Sequence, residues 1–223
     1  MGQNTSHAVM AQRVEGKDSL DDFPTPPWAT RALIEHVIGP DNVKDLTCWE
    51  PACGRGYMAE PLREYFRAVE ATDIHDYGYA PVRNFLKGPI ATQNVDWVIT
   101  NPPFKDAEEF VHRARATARC GVAMLTRTVF IESVGRYERL FSVTPPSVVA
   151  QFTERVPMVR GRIDKKASTA TGYCWIVWNK ADDGQPPRIA WIPPCRKALE
   201  RENDYGEPGT LIARPAQSDL FAS

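Results

Sequence analysis

The chain has 223 residues with 27 basic and 28 acidic side chains, so its net charge of −1 excludes a protein coated in positive charge. Hydrophobic residues at 43% and charged residues at 25% are typical of a globular chain that buries one sizeable core. No apolar run approaches the ~20 residues of a membrane-spanning helix, and the first residues lack a signal-peptide core, so we expect no membrane partner.

The cysteines and histidines indicate the compartment and the metal content. The five cysteines form no Cys-x-x-Cys pair and are odd in number, which predicts free thiols in a reducing, cytoplasmic compartment. The four histidines are scattered without the spacing of metal ligands. We therefore predict no metal site.

Composition divides the chain into three parts. Residues 1–21 are polar and aperiodic, and we expect them to be disordered. Residues 22–195 contain the apolar patterns of one folded domain. From residue 196 onward charge and proline increase, which predicts a flexible C-terminal tail over residues 196–223.

Strand-like and helix-like patterns alternate through the first 145 residues. Helices are predicted at 29–38, from 58 to about 67, at 107–118 and at 129–141. Strands are predicted at 46–49, 68–72, 84–86 (weakly signalled), 95–100 and 122–125. This alternation predicts an α/β fold with a doubly wound, mostly parallel sheet. Later strands at 147–152 and 173–178 have no helix between them and predict an antiparallel edge hairpin, and a further, loosely packed strand is predicted at 188–192.

A glycine-rich turn follows the first strand, with the sequence Glu-Pro-Ala-Cys-Gly-Arg-Gly over residues 50–56. Gly54 and Gly56 would let a ligand lie against bare backbone, and Asp73 closes the next strand, where a carboxylate can accept both hydroxyls of a ribose. This pattern favours an adenosine-containing cofactor. Met58 and Ala59 replace the last part of a full Gly-x-Gly-x-x-Gly, which counts against a dinucleotide. A tight turn beside a solvated Asp stays open as the plain alternative.

A second turn, Asn101-Pro102-Pro103-Phe104, follows the buried strand at 95–100. The prolines donate no N–H and fix the backbone, so the carbonyl oxygens and the Asn101 amide oxygen form a group of acceptors. Phe104 adds a flat apolar wall. Acceptors beside an aromatic ring suit a planar base that carries an amino group, and a proline-rich turn closing a strand is the alternative.

Together these motifs resemble the S-adenosylmethionine-dependent amino-methyltransferases, and the closest group is the small phage and bacterial N6-adenine DNA methyltransferases. The resemblance covers residues 22 to 180 and implies a seven-stranded class I methyltransferase sheet of Rossmann-like type. It implies methyl transfer to the adenine amino group of DNA, with the target base flipped out of the duplex. RNA and protein-glutamine methyltransferases share Asn-Pro-Pro-aromatic, so those substrates remain alternatives. A catalytically silent nucleic-acid-binding module with the same fold is another.

The resemblance also implies roles for individual residues. The catalytic group would be Asn101, Pro102, Pro103 and Phe104. Asp73 would hold the cofactor ribose, Ile74 would pack on its adenine, and Thr25 would lie near its methionine carboxylate. The full set implied for S-adenosyl-L-methionine is Phe23, Thr25, Pro26, Glu50, Ala52, Gly54, Gly56, Asp73, Ile74, Asn84 and Phe85. Families of this kind often have Asp where this chain has Asn84, so we expect weaker cofactor affinity.

Two further segments predict macromolecular contacts. Residues 127–166 carry eight basic and four acidic side chains, enough to hold a phosphate backbone, although a solvated loop is equally compatible. The predicted DNA-binding residues are Arg127, Arg155, Arg160, Arg162, Lys165 and Lys166. Near the end, Gln-Ser-Asp-Leu-Phe over residues 217–221 resembles peptides that dock on the bacterial sliding clamp through Gln217, Leu220 and Phe221. A tail that packs locally is the alternative.

Overall fold

A computed structural model of the chain describes residues 21–88 and 95–206. Most of the segment predicted to be disordered, and the clamp-like peptide with Gln217, Leu220 and Phe221, lie outside the described residues. Within the described ranges the cysteines at 48, 53, 120, 174 and 195 are free thiols.

The described residues form a seven-stranded sheet with the strand order β2-β1-β3-β4-β6-β5-β7. The strands are β1 Thr47–Glu50, β2 Ala68–Ala71, β3 Val95–Thr100, β4 Ala118–Arg127, β5 Val148–Phe152, β6 Tyr173–Asn179 and β7 Arg188–Ile192. Strands β2, β1, β3 and β4 are parallel, β6 is antiparallel to both its neighbours, and β7 pairs parallel with β5 at the edge. The predicted α/β class, with a mostly parallel seven-stranded sheet and an antiparallel hairpin, is confirmed.

The helices are α1 Pro27–Leu33, α2 Ala59–Leu62, α3 Ala107–Thr117, α4 Val134–Arg136 and α5 Arg196–Leu199. A π-helical turn, Ile34–Ile38, extends α1 to Gly39, whose positive φ of 92° ends it. No helix among residues 21–88 and 95–206 is long and apolar enough to cross a membrane.

The helix predicted over residues 129–141 is interrupted. A 3₁₀ turn at Thr128–Ile131 ends before Ser133, and α4 then runs into a π-helical turn at Tyr137–Phe141. The Ser133 hydroxyl accepts a hydrogen bond from the Arg136 N–H and therefore caps a new helix start. The prediction of one continuous helix was wrong because a local side-chain cap competes with the helical backbone pattern.

The weakly signalled strand at residues 84–86 is also absent. The Asn84 Oδ1 accepts from the Leu86 N–H at 3.0 Å and closes a turn, so the sheet ends at β2 on this side. Phe85 is buried and packs edge-on against Trp49, with the ring centroids 5.0 Å apart. Its apolar side chain thus fills the helix-covered face of the sheet rather than extending a strand.

Apolar side chains fill both faces of the sheet. One layer packs around Trp28, Leu33, Trp97 and Trp175 beneath α1, and the other packs around Phe110, Trp178 and their neighbours beneath α3 and the π-helical turn at Tyr137–Phe141. All six residues of β3 are buried because helices cover both faces there. This packing fixes the carboxyl ends of the parallel strands, where the candidate site lies.

A buried carboxylate joins the amino-terminal ends of β1 and β3, at the edge of the sheet opposite the candidate site. Asp96 accepts from the Thr47 N–H at 2.8 Å, from the Thr47 hydroxyl at 2.9 Å and from Arg119. Burial acts to raise the pKa of Asp96, but the hydrogen bonds from Thr47 and the charge of Arg119 outweigh it and lower the pKa.

The chain continues as ordered structure beyond residue 195, where we expected a flexible tail. Helix α5 is followed by a 3₁₀ turn at Glu202–Tyr205, and Asp204 is only 5% exposed. Arg31 of α1 donates to both carboxylate oxygens of Asp204, at 2.7 and 2.8 Å, and to both of Glu64. Two paired acids therefore satisfy a buried arginine and hold residues 199–206 against α1. The domain limits at residues 22 and 195 stay a prediction.

Candidate active site

Four polar residues stand at or just after the carboxyl ends of the parallel strands. Glu50 ends β1, Asp73 follows β2, Asn101 follows β3 and Arg127 ends β4. Because these strands are parallel neighbours, their carboxyl ends form one edge of the sheet, which is where open α/β sheets bind ligands.

The side-chain amide of Asn101 has a defined orientation. Its Nδ2 donates to the Phe23 carbonyl oxygen at 2.9 Å and to the Thr25 Oγ1 at 3.2 Å. A weaker contact of 3.9 Å joins Nδ2 to the Met158 sulfur. These bonds fix the orientation of the amide and leave Oδ1, which is an acceptor, for a further partner. The N-terminal segment that was predicted to contact the cofactor therefore also orients the predicted catalytic Asn, a connection across more than seventy residues that the sequence did not reveal.

A cleft lies beside this amide. Most of its walls are aromatic or apolar side chains, and Asp21, Asn101, Thr126 and Arg127 add polar groups. The Arg127 guanidinium lies 5.0 Å from the centre of the Phe104 ring and 5.8 Å from that of Phe23. The lining residues are Asp21, Phe23, Asn101, Pro102, Phe104, Ala107, Leu125, Thr126, Arg127, Met158 and Tyr173.

The backbone next to Phe104 is fixed by an acidic side chain that the sequence analysis did not single out. The Phe104 N–H donates to the Asp21 carboxylate at 2.6 Å. Pro103 cannot donate, so this bond is the first main-chain anchor after the two prolines. Asp21 was assigned to a disordered segment because its neighbours are polar and aperiodic, and only the fold brings it to the turn.

The glycine turn is closed by Asp73. Its carboxylate accepts from the Gly54 N–H at 2.8 Å and from the His75 N–H at 2.9 Å. Gly54 has a φ of 52°, and no atom lies within 4 Å of the place where a Cβ would be, so its surface is open to a ligand. Each carboxylate oxygen of Asp73 retains a lone pair that could accept from a ribose hydroxyl.

Gly56 is covered by the protein itself. The Tyr79 ring lies 2.2 Å from the place where a Cβ on Gly56 would stand, and Gly56 has a φ of 88°. The Tyr79 hydroxyl donates to Glu60 at 2.6 Å, next to Arg63. The open space at Gly54 is compatible with the expected ligand contact, which stays a prediction, whereas Gly56 makes room for a tyrosine.

The Glu50 carboxyl is buried, and one of its oxygens lacks a hydrogen-bond partner in the described part of the chain. Its side chain is 1% exposed, and its Oε2 has no hydrogen-bond partner among the described residues. Burial, together with the neighbouring charge of Asp73, raises the pKa of Glu50 well above its usual range. An unpaired buried carboxyl costs free energy that a cationic or hydrogen-bond-donating ligand would offset. Because S-adenosylmethionine carries both an ammonium and a sulfonium, the residues at this edge fit that cofactor.

The other residues predicted to bind the cofactor differ in availability. Ile74 is 60% exposed beside the turn and can pack on a ligand, and Ala52 is half-buried. Pro26 and Thr25 are buried at the start of α1. The Asn84 oxygen already accepts from the Leu86 N–H, and Asn84 is half-buried. Phe85 is enclosed by Trp49 and other rings, so in this structure it is not open to a ligand.

The basic loop between β5 and β6 adjoins the cleft. Met158 of this loop lines the cleft near Asn101, and the Gly161 N–H donates to the Asp22 carbonyl oxygen at 2.9 Å. Of the predicted DNA-binding residues, Arg155, Arg160, Arg162, Lys165 and Lys166 are exposed on it. Lys165 lies 3.9 Å from Glu200 and therefore faces the C-terminal segment, whereas Arg127 lies inside the cleft. Among residues 21–88 and 95–206, no group of three or more His, Cys, Asp or Glu is arranged to hold a metal.

The chain matches known proteins in its fold. No protein-family model matches the chain, and no curated protein sequence matches it. Solved structures do. A structure described as a modification subunit of a type I restriction enzyme from Vibrio vulnificus YJ016 matches with a TM-score of 0.56, 14% identity and coverage of 77% of this chain and 47% of that one. One described as an RNA methyltransferase from Pyrococcus horikoshii matches with a TM-score of 0.53, 17% identity and coverage of 75% and 94%.

A third match is the M protein of the type I restriction enzyme EcoKI, with a TM-score of 0.51, 10% identity and coverage of 73% of this chain and 44% of that one. The chain thus spans about half the length of the two restriction-enzyme subunits. At these identities the likeness shows the fold, which is of the class I methyltransferase type.

Proposed function

We propose that this protein transfers a methyl group from S-adenosyl-L-methionine to the exocyclic amino nitrogen of adenine in DNA. The observation that carries this proposal is the orientation of Asn101. Its Nδ2 is held by Phe23 and Thr25, so the oxygen, an acceptor, is the end of the amide left for a ligand beside a cleft walled by Phe104. An acceptor that holds an NH₂ group next to a ring that can stack on a base suits an aminopurine.

The chemistry requires positioning more than acid–base catalysis. The lone pair of the adenine amino group is delocalised into the ring, which makes the nitrogen a weak nucleophile. Hydrogen bonds from that group to the Asn101 oxygen and the Pro102 carbonyl would favour a pyramidal nitrogen and align it for displacement. The proton is lost after transfer, so no base with a pKa near 7 is required.

The cofactor would lie against the open backbone of Gly54. When bound, S-adenosylmethionine supplies an electrophilic methyl group. The Asp73 oxygens would accept from its ribose, and Glu50 would lose its proton and oppose the positive charge of the methionine portion. Thr25, held by Asn101, connects the cofactor side of the site to the base side.

Three observations support DNA as the polymer. The basic loop adjoins the cleft through Met158 and could hold phosphates, and the Phe104 ring lines the cleft and could stack on a base taken out of a duplex. Two of the similar structures are described as restriction-enzyme modification subunits. RNA is the second candidate, because the described RNA methyltransferase is matched over 94% of its length.

Incubation with labelled S-adenosylmethionine and equal masses of DNA, RNA or protein separates these substrates. We expect label in DNA, on adenine after hydrolysis to nucleosides. Label in RNA or on protein glutamine would identify a different substrate for the same methyl-transfer reaction. A protein that binds nucleic acid and transfers no label would instead be the silent binding module.

A further inference from the structure

An exposed segment crosses the rim of the cleft beside Phe104. We define this segment, residues 127–136, as the arch. The guanidinium groups at both its ends contact the same ring, with Arg127 at 5.0 Å and Arg136 at 5.8 Å from the centre of Phe104. The position of the arch relative to the candidate base site is therefore fixed at two points.

The arch is held from beneath by one aromatic side chain. Phe130 is fully buried, and Arg136 donates from Nη1 to the Phe130 carbonyl oxygen at 3.1 Å while its guanidinium lies 4.4 Å from the Phe130 ring. The Thr128 N–H donates to the Gly172 carbonyl oxygen, which ties the arch to the start of β6. A segment anchored in this way presents its outer side chains in a defined place.

Those outer side chains are apolar. Val129 is 51% exposed, Ile131 is 41% exposed and Val134 is 77% exposed, although Phe130 already fills the core beneath them. Exposed aliphatic side chains grouped beside a binding cleft indicate a contact surface. The guanidinium groups at both ends give that surface a positive border, which suits a polyanion.

We propose that the arch contacts duplex DNA and that Val129, Ile131 and Val134 pack against the bases next to the extruded target. Taking a base out of a duplex leaves an unstacked gap, and proteins that distort duplexes insert apolar side chains at such steps. The arch borders the ring on which the extruded base would stack, so it lies where that gap would open. The basic loop across the cleft would hold the phosphates. This inference rests on the proposed function.

The matched control is another exposed valine of the same region. Val143 is 68% exposed, but it lies seven residues beyond the arch. The neighbouring Thr144 carbonyl oxygen accepts from Trp178 on β6, which pairs with Val122 in the first half of β4. Val143 is therefore nearer the other end of the sheet, away from the cleft.

The experiment compares Val129→Ser/Val134→Ser with Val143→Ser in transfer of labelled methyl to native and to heat-denatured genomic DNA. The native duplex requires a base to be extruded, whereas the denatured strand does not. We expect the arch variant to lose about tenfold in transfer to native DNA and less than about twofold on denatured DNA, since stacking next to the gap matters in the duplex alone. Val143→Ser should match the wild type on both.

Each other outcome overturns the inference. Equal losses on both substrates would show a general folding or chemical defect, and thermal unfolding of each variant would identify which. An arch variant as active as the wild type on native DNA would refute the duplex contact and leave the proposed function standing. A wild-type protein that labels RNA or protein, and neither form of DNA, would refute both.

Discussion

The Asn101 side chain donates from Nδ2 to the main-chain carbonyl oxygen of Phe23, 2.9 Å away. This contact joins the turn after β3 to the segment that leads into α1, 78 residues earlier in the chain. Thr25 accepts the second amide hydrogen, so the orientation of the amide is fixed and its oxygen remains as an acceptor for a ligand. The following predictions depend on this site and on the packing that holds it.

Gly54→Ala separates a ligand contact from a folding defect. No protein atom lies within 4 Å of the added Cβ, so the folded protein should lose only the ~1–2 kcal/mol of a left-handed alanine. Affinity for S-adenosylmethionine, measured by calorimetric titration, should fall by at least about tenfold because the methyl would occupy cofactor space. Gly161→Ala is the control, since that glycine has a φ of 76° and open surroundings on the basic loop. Unchanged affinity in Gly54→Ala would place the cofactor elsewhere.

Glu50→Gln should weaken the pH dependence of stability. The pKa of Glu50 is raised in the folded protein, so the folded state holds its proton more tightly than the unfolded chain does. Its contribution is therefore intact below the unfolded pKa of about 4.3 and is lost as pH rises towards the raised value. Urea unfolding between about pH 4 and pH 8 should show a smaller decline for Glu50→Gln than for the wild type.

The same variant should bind the cofactor more weakly, because Gln cannot oppose a positive charge. The control is Glu109→Gln on the exposed face of α3, which should leave the pH profile unchanged. A wild-type profile whose slope does not change on substitution of Glu50 would contradict the assignment of an unpaired buried carboxyl.

Arg31→Met should destabilise the protein and release the segment after α5. Arg31 is 4% exposed and is paired with Asp204 and Glu64, so removing it leaves buried acid uncompensated, at a cost of about 3–5 kcal/mol. The double variant Arg31→Met/Asp204→Leu should recover part of that loss in urea unfolding. If the double variant were no more stable than Arg31→Met, the ion pair would not be what secures residues 199–206.

Lys166→Ala should weaken DNA binding in a salt-dependent way. The residue is exposed on the basic loop next to the cleft. If it contacts a phosphate, the negative slope of log affinity against log salt should become shallower by about 0.9 in Lys166→Ala. Adding Arg162→Ala should about double that change. The control Lys44→Ala removes the same charge from a 62% exposed position on the turn after α1. Equal slopes for Lys166→Ala and the wild type would exclude this side chain as a phosphate contact.

Local patterns in the sequence predicted most of the sheet. The aromatic and β-branched run of β6 and the buried run of β3 are strand signals that need no tertiary information. The strand predicted at residues 84–86 does not form because the Asn84 side chain accepts from the Leu86 N–H. In the same way, the Ser133 hydroxyl accepts from the Arg136 N–H and interrupts the helix predicted over residues 129–141. Such short-range bonds depend on side-chain rotamers that apolar periodicity does not encode.

The positions of the site residues could be predicted only in part. Asp73 and Asn101 follow strands that a parallel sheet brings to one edge, so their proximity followed from fold class. The contacts of Tyr79 with Gly56, of Asp21 with Phe104 and of Arg31 with Asp204 join residues far apart along the chain or on irregular loops. Their pairing depends on the three-dimensional path of those loops, for which the sequence carries no periodic signal.

The most direct test of the central claim is methyl transfer by Asn101→Ala. Labelled transfer to DNA should fall by at least about a hundredfold, since the variant removes an acceptor that positions the nucleophile. Calorimetry should show S-adenosylmethionine affinity within about threefold of the wild type, and Val143→Ser serves as the active control. Wild-type transfer by a folded Asn101→Ala protein would contradict the account, because the turn after β3 would then not be the site of the reaction.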